Sequence, residues 1–290
     1  MENETTIRLT FFFGIFLAVA LGEFISPRRV LQTPKTIRWV SNMGIVAIDT
    51  LTVRLLFPVI GVHVAAMAQQ AGWGLLNITA LPAWLSVVLG VLVLDLVIYL
   101  QHVMFHTVPM LWRLHLVHHA DLDIDVTTGL RFHPIEIAIS MLIKMAAIAA
   151  LGPSVFTVIL FEIILNGTAM FNHGNLKLPL ALDWFLRLFV VTPDMHRVHH
   201  SVTIRETNSN FGFNFPWWDR LLGTYRAQPA AGHEGMTVGL AQLRDPGKNN
   251  LPWMLIMPFT EEPGAYAINH RGADPEKIKK REPVRKPRNS

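Results

Sequence analysis

No cysteine occurs anywhere in the 290-residue chain, which excludes disulfides, thiolate-bound metals, iron–sulfur clusters and a thiol nucleophile. Charge is scarce too: Asp, Glu, Lys and Arg make up 16% of the residues, against 51% hydrophobic. With a mean hydropathy of +0.35, the chain is too apolar for an ordinary soluble domain of this length, so membrane spans are expected. The formal net charge is only +4. No basic helix carries interleaved aromatics, which argues against nucleic-acid binding. The basic residues gather instead in 28–38 and in the tail from Asp274, where anionic headgroups and the positive-inside rule account for them. The N-terminus lacks the basic n-region of a cleaved signal. Glu2 and Glu4 precede the apolar stretch 7–25 and Arg28-Arg29 come after it, so a retained first span is expected.

What the chain does have is apolar sequence of helix length. Residues 6–25 read as span one. The next apolar stretch, 37–67, is longer than the ~20 residues a span needs. Asp49, Arg54 and Pro58 interrupt it, which predicts a tilt, a kink at Pro58 or an interfacial start, with Asp49 and Arg54 facing protein rather than lipid. The loop 68–82 carries no charge, and 83–104 reads as span three. Residues 135–151 and 154–171 form an apolar hairpin broken at Gly152-Pro153. The expected fold is all-α: a multi-pass membrane bundle of four or five spans with a histidine-rich cap. Residues 1–82 hold the N-terminal spans, 83–226 the histidine-rich region, and 227–290 a polar segment with a basic tail. The loop 28–38 carries Arg28, Arg29, Lys35 and Arg38 while the next loop carries no basic residue, which places the former, the cap and the C-terminus on the cytoplasmic side. The apolar run 251–259 is expected to lie against the membrane surface. Asn77-Ile78-Thr79 matches a glycosylation sequon of a kind that arises often by chance.

Three histidine clusters fall within that frame: His102-x3-His106, His115-x2-His118-His119 and His196-x2-His199-His200. Residues three or four apart share a helix face, so each cluster can aim two or three imidazoles at one point. A zinc ion is satisfied by about four ligands, and eight converging imidazoles point to a pair of metals. An isolated histidine is usually a surface or core residue. Repeated spacing in a chain with 13 histidines is poorly explained by packing, because apolar surroundings penalise both ring nitrogens unless they are satisfied. Asp95, Tyr99, His102 and His106 fall on one helical stripe. Asp95 there either fixes the tautomer of a ligand histidine or makes a hydrogen bond between helices.

These boxes resemble those of the fatty acid hydroxylase / sterol desaturase superfamily of integral-membrane, non-haem di-iron oxygenases, over roughly residues 85–226. Arg131-Phe132-His133-Pro134-Ile135-Glu136 is similar to that family's R-x-H-P-x-E element. Asn172-His173-Gly174-Asn175 resembles its additional histidine region. Asn208-Ser209-Asn210-Phe211-Gly212 and the segment from Trp218-Asp219 to Tyr225 resemble the family's stretch just beyond the third box. The resemblance implies that His102, His106, His115, His118, His119, His196, His199 and His200 ligate two irons, with His173 as a further ligand. Lys177 stands where some members carry one more histidine. His133 binds metal, orients a ligand with Arg131 and Glu136, or simply starts a helix at Pro134. Asn210 and Asp219 are candidates to support the ligands, and no catalytic residue is expected beyond them.

The implied reaction is O₂-dependent hydroxylation or desaturation of a lipid C–H bond, chemistry that side chains alone cannot supply. Imidazole suits iron, and zinc would bind the same nitrogens as a redox-inert substitute. The chain shows no flavin or nicotinamide fingerprint, so a cytochrome b5-like protein, a ferredoxin or another reductase is expected to deliver electrons. The lipid headgroup is expected in the basic interface and its chain in the bundle, with Trp112, Trp217 and Trp218 lining the pocket or anchoring in the interface. The lack of a fused cytochrome domain leans toward a bacterial inner membrane. Two other classes stand beside this one. A zinc hydrolase would want the Glu of H-E-x-x-H, where Val103 and Thr107 come after the first-box histidines. A metal transporter would place ligands near the bilayer midplane. Sterol, fatty acyl, sphingoid, ether-lipid and carotenoid substrates all remain open.

Overall fold

Long runs of Leu, Ile, Val and Phe can satisfy their backbone in a bilayer only as helices, and the computed structural model, which describes residues 4–268, is built of helices with two isolated β-bridges. The basic tail from Asp274 lies outside the described residues. In chain order the helices are α1 (Glu4–Ile25), α2 (Lys35–Leu56), α3 (Gly61–Ala71), α4 (Leu75–Ile78), α5 (Ala83–Thr107), α6 (Pro109–His119), α7 (Pro134–Leu151) and α8 (Val155–Asn172). Shorter helices complete the chain: α9 (Leu180–Leu186), α10 (Pro193–His199), α11 (Ile204–Thr207), α12 (Trp217–Leu221), α13 (Gly232–Gly235) and α14 (Leu251–Thr260). Among the described residues, five stretches are long and apolar enough to cross a membrane: α1, the run Lys35–Ile78 that takes in α2 to α4, α5, α7 and α8. The surface agrees, since α1 leaves Leu17, Leu21 and Phe24 exposed, side chains that water would penalise.

Local chemistry sets the breaks. Pro58 cannot donate a helical hydrogen bond, and α2 ends at Leu56 before α3 restarts at Gly61. The hairpin between α7 and α8 turns at Gly152, whose φ of 65° favours a residue without Cβ, and the Ser154 side chain caps α8 by accepting from the Thr157 N–H at 3.1 Å. Gly152 packs directly against Gly74, so the hairpin turn and the loop before α4 share one end of the bundle. At the opposite end, the Lys177 N–H donates to the Ser26 carbonyl and the Arg28 N–H to the Asn175 carbonyl, both at 2.9 Å. The loop after α1 therefore lies on the face where α5 and α8 deliver their histidines, the arrangement expected from counting spans.

Of the charges in 28–38, Lys35 is exposed, whereas Arg28 and Arg38 are not left for lipid headgroups. Arg38 is 1% exposed and pairs with Asp121 at 2.8 Å and Asp125 at 2.7 Å. Arg28 reaches Asp194 at 3.2 Å, and Asp123 accepts the backbone N–H groups of Gln32 and Thr33. Buried cations need such partners, and here they clamp the loop to the cap. Trp112 is likewise fully buried, stacked on Tyr266, and is neither an interfacial anchor nor a pocket wall. α14 is too short to span. It buries Met254 and Met257 beside Trp112 and leaves Ile256 and Phe259 exposed.

Candidate metal centre

The nine candidate histidines converge, and helical geometry sorts them. Neighbouring residues on a helix point about 100° apart, whereas residues four apart share a face. His115 and His119 of α6 therefore join His102 and His106 of α5, while the intervening His118 turns away. At the end of α10 the same rule sends His199 to the first set and leaves His196 and His200 with His118. The first group is His102, His106, His115, His119 and His199. The second is His118, His173, His196 and His200, and within each group the donor atoms lie within 4.8 Å of one another. None of the nine is more than 3% exposed.

Hydrogen bonds fix which ring nitrogen faces inward. A nitrogen aimed at a carbonyl or carboxylate oxygen must carry the proton. His102 Nδ1 donates to the Phe211 carbonyl at 2.7 Å, His199 Nδ1 to that of Ser209 at 2.8 Å, and His173 Nδ1 to that of Ala169 at 2.6 Å. His118 Nδ1 donates to the Arg131 carbonyl at 3.2 Å, and His115 Nδ1 to Oε1 of Glu136 at 2.6 Å. Each of these neutral rings then presents a bare lone pair on Nε2. His102 and His115 place those nitrogens 3.1 Å apart, and so do His118 and His173. Two lone pairs cannot hydrogen-bond each other. The Nε2 atoms of His106, His119, His199 and His200 are also buried without partners. A cation in each group would satisfy all of these donors, so the residues present fit two metal ions.

The electrostatics favour neutral rings. Burial pulls His115 down to about 3 and His173 to about 4, from an ordinary value of about 6.5. Burial and neighbouring imidazoles together hold His118, His119, His196, His199 and His200 well below the usual range.

The remaining candidates divide by what they touch. Glu136 holds His115 as described, and Arg131 holds the second box from its backbone side, its Nε donating to the Val117 carbonyl at 2.8 Å and its guanidinium reaching Asn249. Asp219 accepts the N–H groups of Phe211 and Gly212 at 2.8 and 2.9 Å, fixing the loop whose carbonyl takes the His102 proton. Asn210, with a left-handed φ of 53°, ties that loop to Arg226 and Met195. Two candidates fall elsewhere. His133 joins neither group: its Nδ1 caps α7 by accepting from the Ile135 N–H at 3.2 Å, and its Nε2 lies 3.2 Å from the Leu255 carbonyl. Asp95 accepts the indole N–H of Trp218 at 2.7 Å, so its contact joins α5 to α12 rather than to a histidine. The carbonyls of Phe211, Ser209 and Ala169 went unforeseen, since any residue offers one.

A cavity of about 680 Å³ adjoins the first group, with His102, His115 and Glu136 in its wall. Its lining is largely apolar, including Phe105, Phe132 and Phe213. Thr50, Arg54 and His63 line it too and are exposed, so it opens beside the break between α2 and α3. Asp49 in the same wall is buried, as expected of a residue facing protein, while Arg54 is not.

Comparison with known proteins meets this geometry. The fatty acid hydroxylase family model matches residues 87–224. The chain is 30% identical over 148 residues to ornithine lipid hydroxylase OlsE of Rhizobium tropici, covering 51% of this chain and 44% of that protein. It is 31% identical over 147 residues to alkylglycerol monooxygenase of Xenopus tropicalis, covering 49% and 30%. It is also 28% identical over 155 residues to very-long-chain aldehyde decarbonylase GL1-11 of Oryza sativa subsp. indica, covering 52% and 58%. In each case the match takes in about half of this chain and less than two thirds of the relative. No solved structure matches.

Proposed function

Because residues 87–224 are a fatty acid hydroxylase domain, we propose that this integral membrane protein is a di-iron oxygenase that hydroxylates, or desaturates, a lipid C–H bond with O₂ and externally supplied electrons. The observation that carries the reading is the pairing of unprotonated Nε2 atoms, 3.1 Å apart, in two sealed histidine groups. In this reading His102, His106, His115, His119 and His199 hold one iron, and His118, His173, His196 and His200 the other. When bound, the iron pair supplies the redox chemistry that O₂ reduction and C–H cleavage demand.

The chain's own residues orient the rings, keep them neutral and shape the lipid's approach. Carbonyls of Phe211, Ser209, Ala169 and Arg131, and the Glu136 carboxylate, fix five rings in the tautomer that presents Nε2. Burial keeps the imidazoles unprotonated near neutral pH and excludes bulk water. The apolar cavity lies against His102 and His115, so a lipid chain threaded into it meets the first group rather than the second. The names of the relatives support a lipid substrate and an oxygenase reaction, while the electron donor, a cytochrome b5-like protein, ferredoxin or reductase, and a cytoplasmic cap on a bacterial inner membrane belong to the proposal.

The test is metal analysis joined to oxygen consumption. Purified protein in lipid nanodiscs is expected to carry two irons per chain and to consume O₂ only when a reductant is present, with a matching oxidised lipid found by comparing cells with and without the gene. Zinc at full occupancy with hydrolytic turnover would reject the proposal.

A further inference from the structure

The cavity holds a polar group that this reaction does not use. Asp49 of α2 is 8% exposed, lines the cavity with His102 and Glu136, and its Oδ1 has no hydrogen-bond partner among the described residues. Of the cations in the wall, Lys144 is committed to Glu162 at 2.9 Å and Arg54 is exposed to the outside. Glu136 repeats the pattern, since Oε1 receives the His115 proton while Oε2 is buried without a partner. An ionised carboxylate only accepts hydrogen bonds, and a protonated one still keeps an acceptor oxygen. A buried acceptor left unpaired is costly, so whatever fills the cavity is stabilised by bringing a donor to it. With Lys144 paired to Glu162 and Arg54 left to the exposed mouth, an anion at the depth of Asp49 and Glu136 meets two carboxyl groups and no free cation.

We propose that the cavity takes a lipid bearing a hydrogen-bond donor (a hydroxyl, amide N–H or ammonium) and that Asp49 receives that donor. The inference rests on reading the cavity as the substrate site of the proposed oxygenase. It narrows the substrate class to hydroxylated or amino-bearing lipids over plain hydrocarbons and free fatty acids.

The experiment is binding to the full chain in metal-free form, in nanodiscs, using four probes with the same C16 chain: hexadecanol, hexadecylamine, hexadecyl methyl ether and palmitate. Hexadecanol and hexadecylamine are expected to bind about tenfold tighter than the other two. Asp49→Leu should erase that preference. Asp49→Asn should keep the preference for hexadecanol, because its amide oxygen still accepts, and lose that for hexadecylamine, because the charge is gone. Equal binding of all four probes, or a preference unchanged in Asp49→Leu, overturns the inference and leaves Asp49 satisfied by water alone. If Asp49→Leu fails to fold, the wild-type series and Asp49→Asn decide it. Because no metal is present, the two readings fail separately. Donor preference without reductant-dependent O₂ uptake sinks the oxygenase and spares the recognition site, and O₂-dependent lipid oxidation without donor preference does the reverse.

Discussion

His115 Nδ1–H donates a hydrogen bond to Oε1 of Glu136 across 2.6 Å, and that contact decides which nitrogen of the ring faces the first histidine group. Removing such a partner typically costs a metal site about 10–100-fold in affinity. Glu136→Leu is therefore expected to weaken metal binding by about that factor, and Glu136→Gln by less, because an amide oxygen still accepts. Chelator competition measures it. Unchanged affinity in Glu136→Leu would reduce Glu136 to a cavity-wall residue.

Adjacent residues of the third box are expected to serve different ions. His199→Ala and His200→Ala should each lose about one of two metals, His199 from the first group and His200 from the second, with turnover abolished in both and the protein still inserted. Metal content per chain by elemental analysis checks this. Full metal content in either variant would break the assignment.

Asp95 separates packing from ligation. Its carboxylate takes the Trp218 indole N–H, so Asp95→Leu should cost stability, about 1–3 kcal/mol for the orphaned donor, while the metal content stays whole. Thermal unfolding alongside metal analysis distinguishes the two, and metal loss at unchanged stability would restore a ligand-orienting role.

Acid should destabilise the metal-free protein. Its histidines bind protons less readily folded than unfolded, with His173 at about 4 and His115 at about 3. The unfolded chain therefore takes up more protons as pH falls below about 6.5, and stability drops from there toward the folded values. A flat melting temperature from pH 8 to 7 and a fall from 6.5 to 5 is the expected profile. Constant stability down to pH 5 would contradict the buried, neutral rings.

Arg38 ties α2 to the cap through two buried carboxylates, Asp121 and Asp125. Arg38→Met leaves Asp121 and Asp125 buried without their guanidinium partner, Asp121 keeping only Arg131 nearby, and breaking such pairs costs about 3–5 kcal/mol. A lowered unfolding temperature with a proteolytically accessible 26–34 loop is the expected result, and wild-type stability would show that the network is replaceable.

Much of this was legible in the residues. The apolar runs announced the spans, Pro58 the break after α2, and Gly152-Pro153 the hairpin, because each obeys backbone rules that act locally. The three boxes announced that imidazoles converge, but not that His118 and His119 would serve different groups. Other features depend on partners distant in sequence. Arg38 looked like a headgroup-facing charge because nothing near it in the chain names Asp121 as its counterion. Trp112 looked interfacial until Tyr266 and α14 closed over it. His133 invited a ligand role that its position at the start of α7 absorbs. The carbonyls that fix the tautomers leave no mark on a sequence at all.

The cavity opens beside the break between α2 and α3, within the apolar run Lys35–Ile78, and reaches inward to His102 and His115. On the proposed reading a lipid would enter this mouth from the surrounding bilayer, and what governs its arrival would be its mole fraction there rather than its solubility. Padding the membrane with inert phospholipid should slow turnover even when the total amount of substrate per volume stays fixed.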